Sequence, residues 1–368
     1  MFWLWTAGTP RSDERGNVNA KIEGIEFYLP PGVVSNQDLA QEFPGWSVEK
    51  IQGKTGIMQR HVAAENECSS DLAVAAAQKL FAATGFDPKR IDYVLLCTQS
   101  PDYYLPTTAC LVQHRLGIPT SAGAVDFNLG CSGYVYGLGM AQSLILGGQA
   151  SALLLITAET YSKFIHPQDK SVRTLFGDAA AATLITASPD GLNGSRPAVY
   201  IYGTDGSGAE NLIVPAGGLR KPHSEATAQE SSDESGNVRS QDNLYMNGAE
   251  IFTFTLQAIP DCVQRVLAKA GKALDDVDLF VFHQANQYML EHLRMKLKIP
   301  KEKFYVFLRD CGNTVSSTIP IALKEAANDG KLKPGDVVML VGFGVGYSWG
   351  AVLLEWPFLS LPVRMLQN

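Results

Sequence analysis

Three features are scarce or missing in this 368-residue sequence, and each absence excludes a class of protein. Basic residues are not in excess, because 30 Lys and Arg against 37 Asp and Glu give a net charge of −7. A nucleic-acid-binding protein needs a basic face for the phosphates, so this balance argues against that class. No two of the six cysteines have the C-x-x-C spacing of a zinc site, and their scatter is typical of reduced thiols in a cytoplasmic protein.

Long hydrophobic runs are also absent from the N-terminus. The start, MFWLW, is a single five-residue apolar cluster, too short for a secretory signal or a membrane span. We therefore expect no membrane association. Residues 1–20 are predicted to form a loose tail, with the fold beginning near Lys21.

What the sequence does contain is an alternation of apolar runs and helical patterns. The runs lack polar positions, which indicates strands in sheets covered on both faces. The predicted strands are Ile91–Cys97, Ala124–Phe127, Ala152–Ala158 and Ala180–Thr186, and the predicted helices between them are Thr108–Leu116 and Cys131–Leu146. The pattern predicts an α/β protein.

The second half of the chain repeats strings of the first. The strings DLFVF (278–282), VVMLV (337–341) and GAVLLEW (350–356) echo DYVLL (92–96), LLLIT (153–157) and AAATLITA (180–187). We predict a duplication into two α/β lobes, 21–203 and 244–368; chance similarity between α/β strands is the alternative. The polar segment 204–243 has no strand pattern beyond Leu212–Val214 and is predicted to be a surface connection, either mobile or a functional lid.

The first candidate for chemistry is Cys131, within 130-GCSG-133 at the predicted start of a helix. Unpaired N–H groups and the helix dipole stabilise a thiolate there, which predicts a lowered pKa of the thiol and a nucleophilic role. The alternative is a buried structural cysteine.

Two residues of the second half are candidate partners for this nucleophile. His283 follows the apolar strand in FHQAN, at the strand end where α/β folds place their sites. Asn313, in CGNTVSS, offers an amide donor. A satisfied core histidine and an ordinary turn residue are the alternatives. The turn GFGVGYSWG (342–350) follows another strand and can bring backbone N–H groups close to a ligand; it is not a dinucleotide site, because it lies between two strands.

Together and in this order, these motifs resemble the thiolase superfamily, in particular the ketoacyl-acyl-carrier-protein synthase III family. The matching strings run over nearly the whole chain: TGIMQRHVA (55–63), DFNLGCSGY (126–134), LFGDAAAATLI (175–185), LYMNGAEIF (244–252), FHQAN (282–286), GNTVSSTIPIAL (312–323) and GFGVGYSWG (342–350). The resemblance implies a thiolase-like fold of two βαβαβαββ-type halves in five layers, α-β-α-β-α, as a homodimer. Thiolases themselves carry a second cysteine in the last glycine turn, which this chain lacks.

The resemblance also implies a mechanism and its residues. Cys131, His283 and Asn313 match the catalytic triad, and the N–H groups of Cys131 and Val345 match the oxyanion hole. Cys131 would take an acyl group from an acyl thioester of coenzyme A or acyl carrier protein and condense it with a malonyl thioester, with loss of carbon dioxide. No metal or redox cofactor is expected. Two alternatives stay open: transfer of the acyl group to a hydroxyl or amine without decarboxylation, and a non-catalytic partner subunit.

Several positions depart from the family pattern or extend it. Lys50, Lys54 and Lys170 stand where family members that bind coenzyme A have a Trp and two Arg, which predicts a loss of stacking on adenine. Leu105 matches the residue that, in the family, caps the acyl pocket of the partner subunit. Leu is smaller than the Phe often found there, so we expect the pocket to accept longer or branched acyl groups. Other expected substrate contacts are Asn286, Gly344 and Gly346.

A basic run is the candidate docking surface for the carrier protein. Tyr288 stands where family members often have a basic residue. We therefore expect an acidic carrier protein to bind the basic run that follows Tyr288 rather than this position. The run comprises Arg294, Lys296, Lys298, Lys301 and Lys303. A solvated helix face is the alternative.

Overall fold

The computed structural model describes residues 18–189 and 198–356. The strands are β1 (Val18–Tyr28), β2 (Gly32–Ser35), β3 (Gln59–Val62), β4 (Tyr93–Cys97), β5 (Gly123–Phe127), β6 (Ala152–Glu159), β7 (Ala179–Pro189), β8 (Val199–Thr204), β9 (Leu212–Ile213), β10 (Ser231–Ser232), β11 (Val238–Arg239), β12 (Tyr245–Met246), β13 (Leu279–Phe282), β14 (Phe304–Tyr305), β15 (Val337–Gly344) and β16 (Ser348–Glu355). The helices are α1 (Asn36–Glu42), α2 (Val48–Thr55), α3 (Ser69–Thr84), α4 (Thr108–Arg115), α5 (Gly133–Leu146), α6 (Lys170–Arg173), α7 (Gly248–Ala270), α8 (Gln287–Leu297) and α9 (Thr318–Asn328).

Two five-stranded sheets share one topology. The first has the order β1-β7-β6-β4-β5, and the second has the order β8-β16-β15-β13-β14. In both, the three strands at one end are parallel and the remaining two pairings are antiparallel. The strands that echo each other in sequence, β4 and β13, β6 and β15, β7 and β16, occupy equivalent places. The predicted duplication is therefore confirmed.

The helices form three layers around the two sheets. Side chains of α5 and α9 pack together with the inner faces of both sheets, for example Leu138 and Leu323 with Leu155 and Leu340. Helices α3 and α4 cover the outer face of the first sheet, and α7 and α8 cover that of the second. The five layers run α-β-α-β-α, as predicted.

The sequence of α5 suits its central position. A helix buried between two sheets is apolar around most of its circumference, and α5 contains no charged residue. Its glycines permit close approach: a Cβ on Gly137 would lie 2.6 Å from Leu155 Cδ1, and one on Gly133 would overlap Cys97 Sγ. The small residues of GCSGYVYGLG thus bring the start of α5 close to the first sheet.

Two predicted boundaries were wrong. Strand β1 begins at Val18 rather than near Lys21, while residues 1–17 of the predicted tail lie outside the described residues. Strand β8, at residues 199–204, pairs antiparallel with β16, so the second half begins before residue 204. An edge strand such as VYIYGT is covered less completely than a central one, and it lacks the long apolar run that marked the other strands.

The segment 204–243 contains more regular structure than predicted. Besides strand β9, which falls on the predicted pattern at Leu212–Val214, it includes a 3₁₀ helix at Gly206–Asn211 and the antiparallel pair β10–β11. Arg239 joins this pair to the first half by an ion pair with Asp169 (2.9 Å), and a second ion pair with Asp233 (3.0 Å) lies within the segment itself. The two-residue strands β10 and β11 are too short to show a hydrophobic period, so the sequence pattern could not reveal them.

Candidate active site

The candidate site lies where the two halves meet, at the start of the central helix α5. Cys131 precedes Ser132, the N-cap residue, and its side chain is 5% exposed. A Cβ on Gly344 would lie 3.0 Å from the Cys131 sulfur, and one on Gly130 would lie 2.8 Å from Val345 Cγ1. The nucleophile turn of the first half therefore packs directly on the glycine turn of the second, and Gly344 leaves the space that the sulfur faces.

His283 is held at the carboxyl end of β13 by both its backbone and its ring. Its N–H donates to the Val341 carbonyl at 2.8 Å, and its Nδ1 lies 2.7 Å from the hydroxyl of Thr318 in the first turn of α9. The ring packs edge-on against Phe343. Burial lowers the pKa of His283 to about 3, opposed by a hydrogen bond to the Val315 backbone. The imidazole is therefore neutral near pH 7.

Asn313 is held in place by the first half of the protein. Its backbone N–H donates to the Leu175 carbonyl at 2.9 Å, and its carbonyl accepts from the Gly177 N–H at 3.0 Å. The side-chain Oδ1 accepts a hydrogen bond from the Val315 N–H at 2.9 Å. Because this bond occupies the oxygen, the Nδ2 donor is the part of the amide that can bind a ligand.

Val315 links the two candidate partners of Cys131. It has φ +55°, in the left-handed region, which costs on the order of 1–2 kcal/mol for a β-branched residue. In this conformation its N–H holds Asn313 Oδ1, and its carbonyl oxygen lies 3.0 Å from the Thr318 hydroxyl, which in turn contacts the His283 ring. The strained backbone thus fixes both polar side chains from one residue.

The prediction of a lowered pKa at Cys131 was wrong. Burial raises the pKa of this thiol, and the nearby Glu159 raises it further. The helix begins beside the sulfur as predicted, but the loss of hydration of a buried thiolate outweighs the dipole. A raised pKa favours the protonated thiol, so the reaction has to provide a place for this proton when the new sulfur–carbon bond forms.

A buried carboxyl group near the site was missed in the sequence. Glu159 ends β6 and accepts hydrogen bonds from the Gln99 N–H (3.0 Å), the Ser100 hydroxyl (3.2 Å) and the Ser316 hydroxyl (2.8 Å). Burial raises its pKa to about 8. Ser316 belongs to the loop of Asn313, so Glu159 connects the first sheet to that loop. The sequence feature that could have revealed this buried carboxyl group is the glutamate directly after the apolar run ALLLITA.

The three lysines predicted around a nucleotide are already engaged in contacts within the chain. The ammonium groups of Lys50 and Lys54 lie 5.2 and 5.1 Å from the ring centre of Trp46, and Lys170 donates to the Ser235 carbonyl at 2.6 Å. A flat aromatic face is therefore present four residues before Lys50, although no aromatic residue occupies the aligned position. Because Trp46 lies beside Lys50 and Lys54, the loss of stacking on adenine stays a prediction.

The other predicted substrate contacts lie in structurally distinct places. Asn286 is the N-cap of α8 and accepts from the Met289 N–H at 2.8 Å. Gly346 has φ +140°, a conformation that favours glycine, and Gly344 adjoins Cys131. Leu105 is 82% exposed, so it cannot line a pocket of its own subunit.

The predicted docking run is only partly available to a partner. The Arg294 guanidinium contacts the Glu291 carboxylate and donates to the Ile299 carbonyl at 2.8 Å, closing the C-terminal end of α8. Lys303 donates to the carbonyls of Asp275 and Val277. Lys296, Lys298 and Lys301 are exposed.

Neither a metal centre nor a membrane span is found in the described part of the chain. No group of three or more His, Cys, Asp or Glu residues in 18–189 and 198–356 has the arrangement of a metal site. Within the same ranges, every helix is too short or too polar to cross a bilayer.

Comparison with known proteins agrees with the geometry. Two family models match, 3-oxoacyl-[acyl-carrier-protein] synthase III over residues 125–206 and its C-terminal domain over residues 267–356. The chain is 37% identical to the beta-ketoacyl-[acyl-carrier-protein] synthase III of Clostridium perfringens over 337 residues, covering 92% of this chain and 99% of that protein. A synthase III of Streptomyces coelicolor is 37% identical over 336 residues, with coverages of 91% and 97%.

Solved structures show the same relationship. A crystal structure of a 3-oxoacyl-(acyl-carrier-protein) synthase III superposes with a TM-score of 0.90 at 53% identity and covers 92% of this chain and 100% of its own. A 3-oxoacyl-(acyl-carrier-protein) synthase from Burkholderia xenovorans gives a TM-score of 0.85 at 38% identity, with coverages of 94% and 97%. The fold and the buried cysteine between its two halves define a thiolase-like acyltransferase. The chain belongs to the 3-oxoacyl-[acyl-carrier-protein] synthase III family.

Proposed function

We propose that this chain condenses an acyl group, held on Cys131, with a malonyl thioester of acyl carrier protein and releases carbon dioxide and a 3-oxoacyl thioester. The observation that carries the proposal is that all three groups are held by neighbouring backbone: Cys131 adjoins Gly344, the His283 ring packs on Phe343, and a chain of hydrogen-bonding contacts leads from that ring to Asn313. Cys131 faces the space left by Gly344, while Val315 and Thr318 fix the Asn313 amide and the His283 ring. A nucleophile next to two fixed hydrogen-bonding groups is what acyl transfer followed by enolate formation requires.

The first half-reaction loads Cys131. Its sulfur bonds to the carbonyl carbon of the acyl thioester, and the departing thiol takes up the proton that Cys131 loses. The N–H groups of Cys131 and Val345 stabilise the oxyanion of the tetrahedral intermediate. Contact between the two turns that carry these groups supports this assignment.

The second half-reaction forms the new carbon–carbon bond. The malonyl thioester loses carbon dioxide, and the electron pair of the broken bond becomes an enolate. Asn313 Nδ2 and His283 donate hydrogen bonds to the enolate oxygen. The enolate carbon attacks the acyl carbonyl and expels Cys131 as a thiolate, which then takes a proton from solvent. No step requires a metal or a redox cofactor.

The protein is proposed to act as a cytoplasmic homodimer. Strand β5 is an edge of the first sheet, and Val125 within it is 39% exposed. The nearby loop presents Tyr103, Tyr104 and Leu105, each at least 60% exposed. An open strand edge beside an apolar loop is suited to pairing with a second copy, where Leu105 would cap the partner's acyl pocket. The six free thiols favour a reducing compartment.

The test follows both half-reactions at once. The protein is incubated with acyl thioesters of increasing length and with malonyl carrier protein, while the mass of the intact protein and the release of carbon dioxide are recorded. We expect an acyl adduct that is lost in Cys131→Ala and kept in Cys262→Ala, together with carbon dioxide release. An adduct without carbon dioxide release would instead indicate transfer to a hydroxyl or amine. No adduct with any donor would indicate a non-catalytic subunit.

A further inference from the structure

The buried hydroxyl of Thr318 lies between two atoms to which it could donate a hydrogen bond. Its Oγ1 lies 2.7 Å from His283 Nδ1 and 3.0 Å from the Val315 carbonyl oxygen. Thr318 and His283 are each 2% exposed. The hydroxyl has one proton, so it donates to only one of these two atoms at a time.

The proposed role of His283 decides between the two atoms. A neutral imidazole carries one N–H, and donation to an enolate requires that proton on Nε2. Nδ1 is then an acceptor and needs a donor. Among the described residues, Thr318 supplies the one side-chain hydrogen bond found at this ring, and the contact is shorter than its contact with the Val315 carbonyl.

We propose that Thr318 is a positioning residue that donates to His283 Nδ1 and thereby keeps the ring proton on Nε2, facing the substrate. The assignment rests on the proposed function of His283 as a donor. It makes the hydroxyl a requirement of the condensing half-reaction alone. The loading of Cys131 needs no proton from His283, because the departing thiol takes the proton of Cys131.

The position of the Val315 carbonyl predicts what happens to the ring proton of His283 when the Thr318 hydroxyl is removed. The Val315 carbonyl oxygen and His283 Nδ1 contact the same Thr318 hydroxyl, at 3.0 and 2.7 Å, so this carbonyl is a polar atom close to Nδ1. In Thr318→Val this carbonyl is the polar atom left to pair with Nδ1. An acceptor at Nδ1 draws the ring proton there and leaves Nε2 without one.

The test compares Thr318→Val, which keeps the shape of the side chain, with Thr318→Ser, which keeps the hydroxyl. In Thr318→Val we expect carbon dioxide release to fall about 100-fold, the effect of losing one preorganised donor. The rate at which Cys131 is acylated, followed by intact mass, should change less than about threefold because none of its hydrogen bonds is removed. Thr318→Ser should restore carbon dioxide release.

The tautomer provides a second readout that a purely structural role would not move. Nitrogen-15 spectra of labelled histidine, with His283 assigned by the loss of its signals in His283→Ala, should show a protonated Nε2 in the wild type and in Thr318→Ser. In Thr318→Val the proton should appear on Nδ1. The control Thr255→Val removes a buried hydroxyl that donates to a backbone carbonyl in α7, and it should leave the His283 signals unchanged.

The outcomes separate this inference from the proposed function. If His283→Ala releases carbon dioxide at the wild-type rate, the role of His283 itself is wrong. If His283→Ala fails but Thr318→Val slows both half-reactions equally, or keeps the proton on Nε2, the assignment of Thr318 is wrong while the function stands.

Discussion

The two halves of the molecule have the same sheet topology but carry different side chains at equivalent strand ends. Alignment of Asp92 with Asp278 sets Cys97, the last residue of β4, opposite His283. Cys97 is fully buried and its thiol contacts the Leu129 carbonyl at 2.8 Å, whereas His283 contacts Thr318 in the site. At this position the first half has a packing residue, and the second half has a residue of the proposed site.

The next pair of strand ends differs in the same way. Strand β6 ends at Glu159, whose carboxyl group accepts three hydrogen bonds, while its counterpart β15 ends at Gly344, which leaves space beside Cys131. The two central helices differ as well: α5 follows the proposed nucleophile Cys131, whereas α9 begins with Thr318, which contacts His283. In the proposed function, the first half therefore supplies the nucleophile and the second half supplies the hydrogen-bonding groups.

The largest effect is expected where the two cysteines near the start of α5 are compared. Cys131→Ala should abolish the acyl adduct and lower turnover by at least about 1,000-fold, because the covalent intermediate cannot form. Cys97→Ala should keep the adduct and lower the free energy of unfolding by about 1 kcal/mol, through loss of packing in the core. Intact-mass spectrometry and urea unfolding measure the two quantities. An adduct in Cys131→Ala, or its loss in a folded Cys97→Ala, would reverse the division of roles.

The second comparison is between a proposed hydrogen-bond donor of the second half, Asn313, and the proposed nucleophile of the first half, Cys131. Asn313→Ala should reduce carbon dioxide release about 100- to 1,000-fold, because it removes a preorganised donor from the enolate. Acylation of Cys131 should persist, because the oxyanion donors of that step are backbone groups. Single-turnover assays of each half-reaction measure both rates. Equal losses in the two assays would place Asn313 in the loading step as well.

The third comparison is between Glu159 and His283, and it concerns how each residue makes the free energy of unfolding depend on pH. The pKa of His283 is lowered from 6.5 to about 3, so the unfolded state binds the extra proton between these values and stability rises with pH there. The pKa of Glu159 is raised from 4.5 to about 8, so the folded state holds the extra proton and stability falls as pH rises across that window. Each slope is roughly 1.4 kcal/mol per pH unit.

Substitution of either residue should remove only its own slope. The difference in unfolding free energy between Glu159→Gln and the wild type should grow in favour of the variant from pH 4.5 to 8, whereas His283→Gln should gain relative to the wild type as pH falls from 6.5. Urea titrations at a series of pH values measure both differences. A difference for Glu159→Gln that does not change with pH would show that Glu159 titrates normally.

The frame was predictable from the sequence because apolar runs report burial directly. DYVLL and DLFVF became β4 and β13, His283 directly follows β13, and Cys131 lies beside the start of the predicted helix α5. Strand β8 was not recognised, because an edge strand needs no long apolar run.

The details of the site depended on contacts that no local pattern contains. The pKa of Cys131 is set by burial between two halves that are distant in sequence, and the sequence signal at the helix start indicated the opposite direction. No sequence pattern marks Thr318, because the contact of its hydroxyl with His283 spans 35 positions of the chain. The availability of Lys170 and Arg294 likewise depends on backbone carbonyls of other segments.

The smallest effect is expected on the surface of α8, where two basic residues with different contacts can be compared. Lys296 is exposed, so Lys296→Ala should raise the KM for malonyl carrier protein by about two- to fivefold at low salt, and the difference should shrink at high salt as screening increases. Arg294 closes the end of its own helix, so Arg294→Ala should mainly lower the free energy of unfolding, by about 0.5–1 kcal/mol. Steady-state assays at two ionic strengths, with urea unfolding of both variants, measure the contrast. A salt-dependent change in KM for Arg294→Ala without loss of stability would show that its guanidinium is free to bind the carrier.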